Sequence, residues 1–429
     1  MRIFFLAHDR RLKALLGTAL FILLLAACNK NAHDSARLHV WAIGAEGEHL
    51  GTMARQFEQE HPDIRIEVQS IPWSAVHEKL ITAVAGGTQP DMCQLGNTWM
   101  PEFHAMRALA PLDSFVATSP IINEENYFPG SWATNVFSGK TYGVPWYVET
   151  RCLYYRTDLL AEVGFPHGPQ DWDELYQAVR RLARDDNGEG KPDRFGMTLQ
   201  VNQWEHILFF TWGAGGRILR DDLETPAVTS PEAVEAWRYY MRFFEEGLVP
   251  IESGLLTNIF HAFDTGYYAM FISGPWMMTH IANNCPNIVG KWDVALLPKY
   301  RTRDSWAGGS NLVIFRKSRN QTKAWRFVEY LSRPEIQLQW YRMLSDLPAV
   351  TAAWQDSSLS QDPKIRVFYQ QLQETRPAPQ VPEWEQIASR INRWLEVAVY
   401  GKASVEDALR QLSDDIARII RKRGGRKIS

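Results

Sequence analysis

Apolar and polar positions change period repeatedly along the first hundred residues. Leu38, Val40, Trp41 and Ile43 read as a strand that ends at Gly44. Leu50, Met53, Ala54 and Phe57 then fall at helical spacing, and Pro62 closes that helix. Ile64, Ile66 and Val68 alternate as a second strand. Leu80, Ile81, Val84 and Ala85 mark another helix, ended by Gly86-Gly87, and Met92 to Leu95 is a short third strand. Strands alternating with helices predict α/β units on a largely parallel sheet.

Val144 to Tyr155 reads as one extended segment. Asp171 to Arg184 is predicted helical, with Asp171 and Glu174 as a capping box. Ser230-Pro231 opens a helix with Pro at its first position, running to Gly247 on a stripe of Val234, Trp237, Met241 and Phe244. Tyr267 to Ile272, Val294 to Leu296 and Asn311 to Phe315 read as strands. After Gln321 the pattern turns helical: Ala324 to Leu331, Ile336 to Leu344, Ile387 to Tyr400 and Val405 to Ile420, the last with a capping box at Ser404 and Asp407. Prolines between 377 and 382 interrupt this helical part.

The N-terminus is a different kind of segment. Arg2, Arg10, Arg11 and Lys13 precede an apolar run from Ala14 to Ala27, shorter than the ~20 residues that span a bilayer. That pattern predicts a secretory signal over residues 1–27. Leu25-Ala26-Ala27-Cys28 resembles the bacterial lipoprotein lipobox, which implies cleavage before Cys28, acylation of its sulfur and attachment to a membrane. Residues 28–37 then read as a polar tether. The alternative is an ordinary signal peptide with a chance cysteine; in both cases the mature chain works outside the cytoplasm.

Composition narrows the function. A chain of 429 residues is too long for one core and predicts two lobes. A net charge of −3 advertises no nucleic-acid partner. Of four cysteines, Cys93, Cys152 and Cys285 remain after Cys28, and they form neither a CxxC nor a metal-like cluster. Cys93 and Cys152 read as small buried residues on strands. Seventeen tryptophans is a high number, and flat indoles with a polar edge suit the C–H faces and hydroxyl rims of sugar rings. The basic tail of Arg421, Lys422, Arg423, Arg426 and Lys427 reads as a solvated terminus.

Several short constellations carry candidate chemistry. Asn97 and Trp99 follow the third strand, where α/β proteins bind ligands; Asn97 both donates and accepts, and Trp99 offers a stacking face. Alternation puts Tyr147, Glu149 and Arg151 on one face of an extended segment, where charged groups make the stronger bonds to hydroxyls. A Glu149–Arg151 surface pair is the plainer reading. Gly274-Pro275-Trp276 opens a helix, Gly308-Gly309-Ser310-Asn311 precedes a strand, and Trp212-Gly213 sits in a glycine-rich turn.

Gln94-Leu95-Gly96-Asn97-Thr98-Trp99, Pro145-Trp146-Tyr147 with Arg151 and Tyr154-Tyr155-Arg156, Gly274-Pro275-Trp276 and Gly308-Gly309-Ser310-Asn311 occur in this order behind the leader. Together they resemble family 1 of the extracellular solute-binding proteins of bacterial sugar ABC transporters, over roughly residues 38 to 420. The resemblance implies a type II periplasmic-binding-protein-like α/β fold of two lobes with a helical C-terminal part. It places residues 38–143 and 260–312 in an N-terminal lobe, and 144–259 and 313–425 in a C-terminal lobe. It implies hinge closure on a mono- or oligosaccharide and delivery to the transmembrane subunits of an ABC permease by a monomeric, lipid-anchored protein. The ligand contacts it implies are Glu46, Trp73, Asn97, Trp99, Tyr147, Arg151, Trp212, Trp276, Gly309 and Ser310.

Asp185, Asn187, Glu189 and Asp193 fall at positions 1, 3, 5 and 9 of an EF-hand-like loop with Gly190 at the turn, which makes a structural Ca²⁺ conceivable. Position 12 is Gly196, so the bidentate glutamate is missing, and an acidic turn without metal is the default. Two rivals stay open. A secreted glycoside hydrolase would draw a carboxylate pair, about 5–10 Å apart, from Glu46, Glu48, Glu149 or Glu205. A surface lipoprotein that binds another protein would expose an aromatic patch. No GxSxG, HExxH, Walker A or GxGxxG pattern points to an enzyme.

Overall fold

A computed structural model describes residues 37–185, 187–190, 192–251 and 259–425. The leader, Cys28, the tether to residue 36, Arg426 and Lys427 lie outside the described residues. The chain divides into two units, one holding the residues up to Cys93 with Lys317–Tyr330, the other Gln94–Arg316 with the residues from Leu331 onward.

The first unit is the α/β alternation expected of the opening sequence. Strand β1 (Arg37–Ile43) pairs in parallel with β2 (Arg65–Ile71) through seven registered residues. On its other side Val40 and Trp41 meet Met92 and Cys93, the start of β3 (Met92–Gly96). Helices α1 (Gly44–Glu60) and α2 (Trp73–Gly86) are the crossovers. The buried face of α1 carries Leu50, Met53, Ala54 and Phe57, the predicted stripe. Phe57 packs against Phe327 and Tyr330 of the helix Gln321–Leu331, which returns late in the chain.

Among the described residues the second unit holds two larger sheets and two two-stranded ones. In the first, β4 (Val144–Glu149) lies between β9 (Gly308–Ile314) and β10 (Leu347–Pro348), antiparallel to both, and β9 lies next to the end of β3. In the second, β5 (Cys152–Arg156) is antiparallel to β7 (Tyr268–Ser273) and β8 (Trp292–Ala295), and β7 is parallel to β6 (Phe195–Met197). The single extended segment expected over Val144 to Tyr155 is therefore two strands in two sheets, joined through Thr150 and Arg151. This corrects the expected lobe division. Residues 268–295 share a sheet with β5, because β7 and β8 hydrogen-bond to it, whereas β9 pairs with β4 in the first sheet.

Helix α3 (Trp172–Leu182) starts on Asp171, whose carboxylate accepts from the Glu174 N–H at 2.8 Å. Glu174 accepts in turn from the Gln170 N–H, one residue earlier than a capping box requires. Helix α4 (Trp204–Gly213) replaces the glycine-rich turn expected at Trp212. It is buried on every side from His206 onward, so no amphipathic stripe announces it. It packs on α5 (Pro231–Glu245) and on α7 (Trp384–Val399), and α7 packs on α8 (Val405–Gly425). Ser404 caps α8 as expected, accepting from the Asp407 N–H. Arg423, expected in a solvated tail, forks onto Glu383 with contacts of 2.6 and 3.1 Å. One hydrophobic core runs from Leu153 through α4 and α5 to Ile420. Cys93, Cys152 and Cys285 are buried and unpaired. Among the described residues no helix is long and apolar enough to cross a membrane.

Candidate ligand-binding site

A cavity of about 590 Å³ opens within the second unit. Among the described residues five pieces of chain build its wall, one of them Ile259 at the start of the helix Ile259–Thr265. Arg151 comes from the β4–β5 junction. Gln200, Asn202 and Gln203 lead into Trp204 and Glu205 at the start of α4. Ile272 and Ser273 end β7, followed by Trp276 and Met277 at the start of α6 (Met277–Asn284). Glu385, Ala388, Ser389 and Asn392 recur at helical spacing, so they form one stripe along α7.

The indoles are fixed by packing. A Cβ on Gly274 would lie 2.0 Å from the Trp276 ring, so this ring rests directly on bare backbone. The Tyr154 hydroxyl holds that backbone by donating to the Gly274 carbonyl at 2.7 Å. Trp204 stands edge-on to Trp306 and Trp384, with ring centroids 5.6 and 5.0 Å away. The Arg151 guanidinium sits over Trp276 at 4.6 Å and over Trp306 at 5.1 Å, and its Nη1 meets Glu149 at 3.0 Å. At 13% side-chain exposure this is a wall element rather than the surface pair of the plainer reading.

Burial sets the protonation of two neighbouring groups. Removal from water raises the Glu205 carboxyl above its usual range; Arg151 opposes this, and Glu149 and Glu385 add to it. Burial, reinforced by Arg151, pushes His206 down to about 3. Its Nδ1 faces the Gln200 N–H at 3.4 Å, and an N–H can only donate, so Nδ1 is an acceptor and the ring is neutral. Asn392 Nδ2 donates to the Asn202 carbonyl at 2.9 Å, while its Oδ1 is buried without a hydrogen-bond partner.

Among the residues singled out from sequence, Arg151, Trp276 and, from the hydrolase alternative, Glu205 line this cavity, and Glu149 braces Arg151 from behind. The others of the second unit lie elsewhere. Gln94 donates to Tyr147 Oη and Ser310 Oγ, and Ser310 Oγ donates to Tyr147 Oη at 3.0 Å. Asn311 donates to Asn97 at 2.9 Å and accepts from Asn135 at 2.8 Å. These are buried ties within the first sheet. Trp99 is 8% exposed beside Gly96. Gly309 has φ +121°, and a Cβ there would meet the Tyr147 carbonyl at 2.2 Å, so strand pairing requires glycine. Trp212 is a core residue, 4% exposed. Glu46 and Trp73 belong to the first unit: Glu46 is buried in the first turn of α1, and Trp73, 44% exposed, opens α2 over Gly44. Sequence reasoning missed Trp204, Glu385 and Asn392. The α7 stripe was visible as spacing, but nothing in the sequence said what it faced.

The acidic loop is an amide-capped turn. Asp185 accepts from the N–H groups of Gly188, Glu189 and Gly190, Asn187 from Glu189, and Asp193 from Asn187, at 2.7 to 3.1 Å. Among the described residues no group of three or more His, Cys, Asp or Glu side chains is placed to hold a metal ion. At Gly196 a Cβ would lie 2.4 Å from the Val179 Cα, so packing of β6 on α3 forbids the missing glutamate.

A family model for bacterial extracellular solute-binding proteins matches residues 44–338. The chain belongs to the bacterial extracellular solute-binding protein family. It is 24% identical to the galactooligosaccharide-binding protein of Bacillus subtilis (strain 168), over 91% of this chain and 92% of that protein. It is 24% identical to the diacetylchitobiose binding protein DasA of Streptomyces coelicolor, over 95% and 97%. The solved structure of the sugar-binding protein MalE from Xanthomonas citri superposes with a TM-score of 0.83 at 36% identity, covering 90% of this chain and 98% of that one. This family is one of extracellular solute-binding proteins, which implies a location outside the cytoplasm. Its members bind solutes, and the indole- and amide-lined cavity of the second unit is chemically suited to that task.

Proposed function

We propose that the protein captures a carbohydrate outside the cytoplasm as the binding component of an ABC importer and passes it, unchanged, to the permease subunits. The observation that carries this reading is the cavity itself. Trp204 and Trp276 give flat apolar faces, and Gln200, Asn202, Gln203, Ser273, Ser389 and Asn392 give neutral groups that pair with hydroxyls in both senses. The sugars named for the relatives support the same ligand class. The mature chain is a monomer held to a membrane by lipid on Cys28. A thermal-shift screen across mono- and oligosaccharides tests the reading, because a ligand of the folded state raises Tm by mass action. At least one sugar stabilises the protein and is recovered intact after prolonged incubation. Cleaved glycan would transfer the cavity, with Glu205 in its wall, to the hydrolase reading; co-purification of a protein partner with no sugar response would favour a protein-binding lipoprotein.

A further inference from the structure

The Glu205 carboxyl is a group of the cavity wall that the rest of the chain leaves without a donor. It follows Trp204 at the start of α4 and lines the same space as Arg151 and Trp276. Its own N–H bonds to the carboxyl, and among the described residues no other N–H or O–H donates to it. Its neighbours differ. Asn392 is tied to the Asn202 carbonyl at 2.9 Å, and Glu149 is paired with Arg151 at 3.0 Å. Burial disfavours charge on Glu205, Glu149 and Glu385 add to that, and the field of Arg151 offsets only part of it. A carboxylate withdrawn from water needs donors, and the cavity is the space from which they can come.

We propose that Glu205 anchors the ligand, its carboxylate accepting hydrogen bonds from sugar hydroxyls beside the indoles of Trp204 and Trp276. This rests on the carbohydrate reading and gives Glu205 a binding role in it, in place of the acid of the hydrolase alternative. A carboxylate only accepts, so the ligand positions it faces carry O–H groups. Those donors favour the charged form, so the complex holds Glu205 deprotonated more firmly than the free protein does. By linkage, binding expels a proton wherever free Glu205 is still protonated, and affinity falls as pH drops through that range. Among the described residues, the other groups acting on Glu205 are Arg151 at the β4–β5 junction, Glu149 on β4 and Glu385 on α7. His206, next along α4, titrates at about 3 and stays neutral throughout.

The test is calorimetry of the mature chain between about pH 5 and 8, with a panel of neutral saccharides that includes maltose, cellobiose, lactose and diacetylchitobiose. Each titration is repeated in two buffers of different ionisation enthalpy, which gives the number of protons exchanged. For the sugars that bind, the wild-type protein is expected to release protons at the acid end, less so toward neutral pH, and to lose affinity as pH falls. This measurement needs no variant. In Glu205→Gln the release disappears and affinity no longer changes with pH. Near pH 8 the variant binds about tenfold more weakly, the margin of a charged over a neutral hydrogen bond. Its Tm without sugar is retained, because an amide keeps no charge out of water. Three results overturn the role of Glu205 and leave the carbohydrate reading standing: no proton exchange in the wild type, proton uptake instead of release, or the same release in the variant. Absence of binding to every saccharide of the panel overturns both.

Discussion

His206 gives the pH dependence of folding a specific shape. The ring is buried at the start of α4, with Nδ1 accepting from the Gln200 N–H, and burial beside Arg151 holds its pKa at about 3. In the unfolded chain the same ring titrates near its ordinary value of about 6.5. Between these values the unfolded state binds a proton that the folded state refuses. The contribution is therefore complete above about pH 6.5 and is lost as pH falls toward 3. One proton changes stability by about 1.4 kcal/mol per pH unit, so between pH 7 and pH 5 the loss from this single ring is about 2 kcal/mol. Glu205 acts in the opposite sense: its raised pKa lets the folded state take up a proton first as pH falls, which stabilises it. A comparison of wild type with His206→Asn isolates the imidazole, because asparagine keeps an acceptor for Gln200 and Glu205 is common to both proteins. Urea unfolding at pH 5, 6, 7 and 8 measures it. The gap between the two proteins should shift by about 2 kcal/mol in favour of the variant on going from pH 7 to pH 5. Parallel stability curves would refute the buried, neutral imidazole.

The remaining predictions separate binding from folding. Trp276→Ala removes a stacking face and weakens sugar binding about tenfold by calorimetry, with a small change in Tm. Trp212→Ala does the reverse, costing about 3–5 kcal/mol in urea unfolding while the folded fraction binds normally, because that indole lies in the core. Gly274→Ala puts a methyl 2.0 Å from the Trp276 ring and displaces it, so its affinity loss should match that of Trp276→Ala; wild-type affinity would show that the ring seat is not needed. Gly196→Ala drives a Cβ into the Val179 backbone and costs about 3 kcal/mol, read as a lower urea midpoint with unchanged sugar affinity in the folded fraction.

What the sequence made legible followed periodicity. The β1–α1–β2–α2 alternation and the late helices announce themselves because each buries one face and exposes another, the α5 and α8 caps are marked by their serines, and β3 is marked as a short apolar run. Helix α4 is silent: Trp204 to Gly213 is apolar nearly all round, so no period marks it, and Trp212-Gly213 reads as a turn. The break at Thr150–Arg151 is equally hidden, since residues continue extended on both sides and only hydrogen-bond partners show that the sheet has changed.

The site itself shows why motif and cavity coincide only in part. Asn97, Tyr147, Gly309 and Ser310 form a memorable pattern because strand pairing and buried hydrogen bonds constrain them tightly: Gly309 has no room for a side chain, and Tyr147, Ser310 and Gln94 satisfy one another out of water. The wall residues Gln203, Glu205 and Ser389 carry no local signature. They are the positions free to be tuned to a ligand, and Glu205 shows the cost. A carboxyl held out of water beside two other acids raises its own pKa, a strain a purely structural position would not need.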